Sequence, residues 1–366
     1  MRKSMLLTLA VAILFALVSG EATAQTYTAQ ERLVSQGGEA VDVRGRHMAV
    51  GDVDYGSSGA VHVYRNSLRG WAYETELSVS DLPPGERFGY ALAVDSKTVA
   101  VAAGSNLRPV VYVFRRTRGR SARGPNGPQG PQGPNEQGWV QEARIEIPAP
   151  PGTTVSLDIS GRALLIGVSA PTDSIAYVYR YRQQAWTYEA ELRPVDDPVG
   201  FGAHVALANA SRAVVGSRDE AVIYHRNGPR NGWSENARLA VAGRGDLVAA
   251  EGSTVVVSAY PDARVRVFRL IDHRWTAIAT LRGSDAADGD GFGKAVGYSD
   301  GYLVVGAPDQ ADSHGASYLF AETSAGWVEQ AKQVAGVPSY YFGNAVSIHQ
   351  GTLVVGSWGS GAYCFE

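Results

Sequence analysis

The segment WTYEAEL, which begins at Trp186, is written repeatedly along the chain. It returns as WAYETEL at Trp71, WVQEARI at Trp139, WSENARL at Trp233, WTAIATL at Trp275 and WVEQAKQ at Trp327, and as YTAQERL at Tyr27, where Tyr replaces Trp. Upstream of most copies stands a pair of short apolar runs, as in YLVVGAPDQADSHGASYLF before Trp327 and TVVVSAYPDARVRVFR before Trp275. Ahead of each pair lies another short apolar run, clearest as FGYALAV at Phe88, FGAHVAL at Phe201, FGKAVGY at Phe292 and FGNAVSI at Phe342. GGEAVDV at Gly37, TTVSLDI at Thr153 and DLVAAEG at Asp246 are weaker versions. Every unit is therefore four strands of β-branched and aromatic character, separated by turns of Gly, Asp, Asn and Ser. Outside one insertion the period is roughly 42 to 52 residues, the length a four-stranded blade needs.

The two ends of this pattern do not match. The last unit stops after its third strand at GAYCFE, whereas the first recurring segment, YTAQERL, is a fourth strand with nothing before it. Pairing the two completes a blade and removes two open sheet edges. The expected architecture is all-β: a seven-bladed β-propeller of four-stranded antiparallel blades, closed by the N-terminal strand on the C-terminal blade. In such a ring each recurring indole plugs the gap to the neighbouring blade, while Glu191 faces solvent. Burying one such ring contributes on the order of 2–3 kcal/mol.

Residues 1–24 read as a signal peptide: Arg2 and Lys3, an apolar run from Met5 to Val18, and small residues at Ala22 to Ala24 ahead of Gln25. Residues 25–366 then form one propeller domain, secreted or periplasmic, with no transmembrane segment. Removing the leader leaves 31 basic and 35 acidic residues, a balance without the basic field of a nucleic-acid binder. The one cysteine, Cys364, has no partner for an internal disulfide. It reads as a buried strand residue, and stability must come from packing. A Gly/Pro-rich insertion at 115–138 contains GPNGPQGPQGPN from Gly124, too short for a collagen helix. It is a protruding loop whose Arg115, Arg116, Arg118, Arg120 and Arg123 make a local basic patch.

The FG dipeptides at Phe88, Phe201, Phe292 and Phe342, with VVGAP ending in Gly306, Ala307 and Pro308, resemble the FG-GAP repeats of integrin α-subunit propellers and their secreted bacterial relatives. The resemblance implies a propeller used for extracellular adhesion or protein interaction, with partners docking on the face that carries the loops between second and third strands. Many repeats of that family carry an Asp-rich calcium loop between the first and second strands. Here those turns read DVRGRHM, DSKTV, ISGRAL, ANASRAV, EGSTV, YSDGYL and HQGTL, too poor in carboxylates to surround a hard cation. No cofactor is expected, and calcium at the family position is expected to be absent. Asp285, Asp288 and Asp290 in SDAADGDGFG form the one other acidic segment and are weak metal candidates.

On the expected loop face stand Asp52, Asp54 and Tyr55 in blade one, Tyr260 and Asp262 in blade five, Asp309, Asp312 and His314 in blade six, and Trp358 in blade seven. This acidic, aromatic rim is the candidate ligand-binding surface. The motifs of zinc peptidases, nucleophile-elbow hydrolases, phosphate-binding loops and dithiol enzymes are missing from the sequence, so no catalytic residue is assigned. The reading is a monomeric, non-enzymatic propeller of the bacterial envelope that binds an extracellular or envelope protein. A lectin-like propeller, stacking sugars on Trp358, Tyr55 and Tyr260, is the alternative. A polysaccharide-acting hydrolase or lyase with carboxylates at the channel mouth is a further one.

Overall fold

A computed structural model describes residues 25–28, 31–34, 37–104, 108–117, 138–170, 173–196, 199–228, 232–241, 247–336 and 339–366. The proposed leader at 1–24 and most of the Gly/Pro-rich insertion lie outside them. Seven sheets stand in a ring, each built on antiparallel strands that run from inner to outer in chain order, except where the N-terminal ribbon joins the outer edges of blades six and seven. Blade one comprises Val41–Arg44, His47–Asp52, Ala60–Ser67 and Gly70–Leu77, and blade three Thr154–Ser160, Ala163–Ser169, Ile175–Arg182 and Ala185–Leu192. The innermost strands contact their neighbours all the way round, blade seven meeting blade one.

Closure takes place as the uneven ends require. Glu31–Val34 pairs antiparallel with Gly361–Phe365 and supplies the missing outer strand of blade seven. One detail differs: the ribbon expected as a single strand from Tyr27 to Leu33 is two. Gln25–Thr28 lies parallel to the outer strand of blade six, Gly326–Val334, as a fifth strand. Four extended residues span only about 13 Å, so successive halves of one ribbon reach the outer edges of adjacent blades and tie them together.

The core is divided among the blade interfaces. Among the described residues there are seven buried apolar clusters, and each draws residues from two adjacent blades. The recurring tryptophans pack on these clusters, as Trp186 does between blades two and three, Trp233 between three and four, and Trp71 between seven and one. Cys364 is buried beside Trp71.

Both halves of the FG and GAP motif act at these interfaces. The four Phe side chains are fully buried and meet the aromatic residues of their own third strands edge-on, as Phe342 does with Tyr363 at 5.4 Å. The glycine that follows permits contact with the preceding blade. A Cβ added to Gly306 would stand 1.9 Å from the Gly343 carbonyl oxygen, and Gly343 itself has φ of +94°. Gly51 and Gly89 repeat this approach between blades one and two.

A second recurring device escaped the alternation rule for strands. Each outer strand of blades one to six shifts register three residues after its tryptophan, and in blades one, two and three the bulged residue is Glu74, Glu142 or Glu189. A bulge re-aims a side chain. These glutamates accordingly turn to the next blade, where each accepts the indole N–H of the following tryptophan at 3.2 Å: Trp139 to Glu74, Trp186 to Glu142 and Trp233 to Glu189. Glu189 also binds Arg180 of its own blade and Arg226 of the next. Burial opposes its ionisation, but the hydrogen bonds from Arg226, Arg180 and Trp233 together outweigh it and bring the pKa down to about 2.

Candidate functional site

The channel at the centre of the ring is a cavity of about 450 Å³ lined by all seven inner strands. Hydrogen bonds run round it from blade to blade. Asp42 accepts the Val94 N–H, Asp95 that of Gly161, Asp158 that of Leu207, Ala208 through its carbonyl that of Gly252, and Glu251 that of Asp300. Ser299 then meets His349 Nδ1 at 3.2 Å, and Ser347 accepts the Val43 N–H while donating to Asp42.

Burial raises the pKa of Asp42, against the hydrogen bond from Ser347. It raises Asp158 to about 7, against the Leu207 N–H and the charge of Arg44 and with the help of Asp42. Both oxygens of each acid are occupied: Asp42 by Val43, Ser347 and Val94, Asp158 by Ile159 and Leu207. Arg44 crosses from blade one to Glu251 of blade five at 3.7 Å. These groups fasten blades to one another, and every carboxylate oxygen of Asp42 and Asp158 already accepts a hydrogen bond from the protein.

The loop face is different. Three loops converge over blades six and seven: residues 308–315 of blade six, 339–341 leading into blade seven, and 358–360 of blade seven. Backbone and serine hydrogen bonds stitch them together. Tyr341 N–H donates to the Ser313 carbonyl at 2.7 Å, Phe342 N–H to that of His314 at 3.2 Å, and Ser357 Oγ to that of Tyr340 at 2.8 Å. On this framework Tyr340 is 63% exposed, Trp358 53% and Tyr341 36%. Tyr341 and Trp358 lie 6.0 Å apart and His314 stacks on Tyr340 at 6.3 Å. Exposed Asp312 belongs to the same blade-six loop.

The remaining rim candidates fall in separate places. Asp52 is buried, with His62 Nε2 3.8 Å from its carboxylate, and burial raises its pKa against the charge of His62. Asp54 is exposed, and Tyr55 stands edge-on to His62 at 5.3 Å. Tyr260 faces the ammonium of Lys294 at 5.6 Å, Lys294 pairs with Asp309, and Asp262 is exposed. Trp358, Tyr55 and Tyr260 make no ring contact with one another among the described residues. Trp358 instead joins Tyr341, with Tyr340 in the same loop, a pair absent from the rim drawn from sequence. Their signal was the SYYFG run, since the other FG dipeptides follow Arg87, Gly200 and Gly291.

The acidic segment before blade six does not converge. Asp285 accepts the Tyr318 hydroxyl and pairs with Lys332, Asp288 pairs with Arg282, and Asp290 accepts the Ala287 N–H and the Gln310 amide. Among the described residues no group of three or more His, Cys, Asp or Glu side chains is placed to hold a metal ion, and no helix is long and apolar enough to cross a membrane.

The FG-GAP repeat family matches residues 275–320, which span the outer strand of blade five and most of blade six. No curated protein matches. Among solved structures, the β-propeller domain of Cps50 (Swd1) from Myceliophteria thermophila aligns with a TM-score of 0.60 at 12% identity, over 91% of this chain and 98% of that one. A protein from Lactobacillus plantarum aligns at 0.54 and 12%, over 93% and 90%. A functionally unknown protein from Desulfotomaculum acetoxidans DSM 771 aligns at 0.52 and 12%, over 82% and 86%. At this identity the likeness is one of fold. The chain is a seven-bladed β-propeller containing an FG-GAP-like repeat segment.

Proposed function

We propose that the chain is an exported, non-catalytic binding propeller of the bacterial envelope, and that it docks a protein partner on the rigid aromatic platform of blades six and seven. The observation that carries this reading is the exposure of Tyr340, Tyr341 and Trp358 on three loops hydrogen-bonded to one another. Large aromatic rings held in place before binding lose little conformational entropy on docking, and such residues dominate interface energetics. The similarity to FG-GAP propellers, integrin α-subunits among them, supports an adhesive role. The occupied oxygens of Asp42 and Asp158 speak for a scaffolding use of the channel acids.

The test compares immobilised wild-type protein with a Tyr340→Ala/Trp358→Ala variant as baits for envelope extracts, followed by titration of the retained protein. Loss of two central anchors weakens binding by roughly 30-fold or more, with the thermal melt unchanged because both side chains are exposed. Equal retention by the two baits refutes the platform. A lectin-like reading has its own support in the ring pair Tyr341 and Trp358, with Asp312 as a hydroxyl acceptor in a neighbouring loop. A glycan array decides between them: a sugar signal abolished by the same variant replaces the protein partner with a glycan.

A further inference from the structure

The opposite face, which carries the hairpins between first and second and between third and fourth strands, bears an unrelated surface on blade one. The hairpin tip Leu68 is 102% exposed. Around it the surface is formed by Arg46, Arg65, Asn66, Ser67 and Arg69. One blade further on, the equivalent first hairpin presents Lys97, also exposed.

The charge here is uncompensated for a local reason. At the place of Arg65, blades two, three and five carry Arg115, Arg180 and Arg269, and each is ion-paired, to Glu142, Glu189 and Glu322. In blade one the corresponding acid, Glu74, is drawn away to Arg116 at 2.7 Å and to the Trp139 indole. Arg46, Arg65, Arg69 and Lys97 are left without an acidic partner among the described residues. The chain as a whole is acidic, so the patch is a local feature of this face.

We propose that this face docks on an anionic phospholipid bilayer, with Arg46, Arg65, Arg69 and Lys97 against headgroup phosphates and Leu68 in the interfacial layer. Unpaired cations supply attraction to anionic headgroups. A fully exposed apolar tip among them gains from transfer into the acyl boundary and gains nothing from a soluble anionic polymer. A propeller held in this way turns its aromatic platform outward, although the docking does not depend on what that platform binds.

Co-sedimentation of the purified protein with vesicles tests the proposal. Binding is expected to phosphatidylcholine vesicles containing phosphatidylglycerol, falling with salt, and not to phosphatidylcholine alone. Each cation near such a surface is worth roughly fivefold in partitioning, so Arg46→Gln/Arg69→Gln/Lys97→Gln lowers binding by about a hundredfold. Leu68→Ser lowers it severalfold and leaves the salt dependence intact. All four side chains are exposed, and unchanged thermal melts confirm that each variant is folded. Equal binding to both vesicle types, no binding to either, or a triple variant that binds like wild type overturns the docking. Retention on polyphosphate that Leu68→Ser leaves unchanged, without vesicle binding, reassigns the patch to a soluble anionic polymer.

Discussion

Glu189 and Glu191 are two residues apart on the same outer strand, and the fold assigns them opposite importance. The Glu189 side chain is 10% exposed, its partners Arg180 and Arg226 are 13% and 14% exposed, and it also accepts the Trp233 indole and pairs with Arg182. Removing one partner of a buried ion pair costs roughly 3–5 kcal/mol, and an exposed pair is worth less than about 1 kcal/mol. Glu189 lies nearer the first limit, so Glu189→Ala is expected to cost about 2–4 kcal/mol. Glu191 is 44% exposed and among the described residues pairs only with Arg193, itself 46% exposed, so Glu191→Ala should cost below about 0.5 kcal/mol. Urea unfolding followed by tryptophan fluorescence measures both. The sign of the pH effect follows from the lowered pKa: the Glu189 contribution is fully present above about pH 4.5 and disappears as pH falls through about 2. The gap between wild type and Glu189→Gln must therefore close over that window. Two alanine variants within about 0.5 kcal/mol of each other would show that the bulged glutamate is no clamp.

Gly343→Ala combines left-handed backbone with a Cβ 2.3 Å from the Ala316 carbonyl oxygen. It should lower stability by more than about 2 kcal/mol, whereas alanine at Gly326, which also has positive φ but nothing within 4 Å, should cost only the backbone term of about 1–2 kcal/mol. Equal thermal melts would refute the interblade contact. Asp158 runs opposite to Glu189. Its raised folded pKa gives a contribution present below about 3.8 and lost as pH rises through about 7, so wild-type protein should lose stability across that range and Asp158→Asn should lack that slope. Parallel pH profiles of the two would remove Asp158 from the set of titrating groups.

The ring was legible because repetition reveals what propensity cannot. Seven copies of one strand at a near-regular spacing, with a missing strand at one end and an extra strand at the other, leave a closed circle as the simplest solution, and Glu31–Val34 completes it. The FG glycines could be recognised from sequence, but their purpose could not. Gly306 and Gly343 are separated by most of a repeat, and only the packing of two blades brings them so close that a Cβ on Gly306 would stand 1.9 Å from the Gly343 carbonyl oxygen. The glutamate clamps were obscured by the rule used to read strands. Alternation places the third residue after an inward tryptophan on the far face, and the register shift at Glu142 cancels that parity. The spacing W-x-x-E in blades one, two and three was nevertheless visible. The aromatic platform was half legible: Trp358 follows from its loop, but its neighbours Tyr340 and Tyr341 come from a different loop, and no local pattern predicts that adjacency.

The clamps are also unevenly distributed, and this bears on how the ring holds together. Asn236, Ile278 and Gln330 occupy the bulge in blades four, five and six, and the indole N–H groups of Trp275 and Trp327 are buried without a partner among the described residues. The interfaces from blade one to blade four are thus locked by charge as well as by packing. Those from blade four to blade six have no glutamate clamp: apolar contact and the inner hydrogen bonds are joined, between four and five, by Arg212 on the Gly252 carbonyl and the Trp275 ring and by Arg266 on the Ala240 carbonyl, and, between five and six, by the Arg269–Glu322 pair. A closed ring requires only that its weakest seam hold, and in blades six and seven the N-terminal ribbon adds backbone pairing where no glutamate is available. Gln25–Thr28 lies on the outer strand of blade six and Glu31–Val34 completes blade seven, so the terminal ribbon takes over at the seam the work that the bulged acids perform elsewhere.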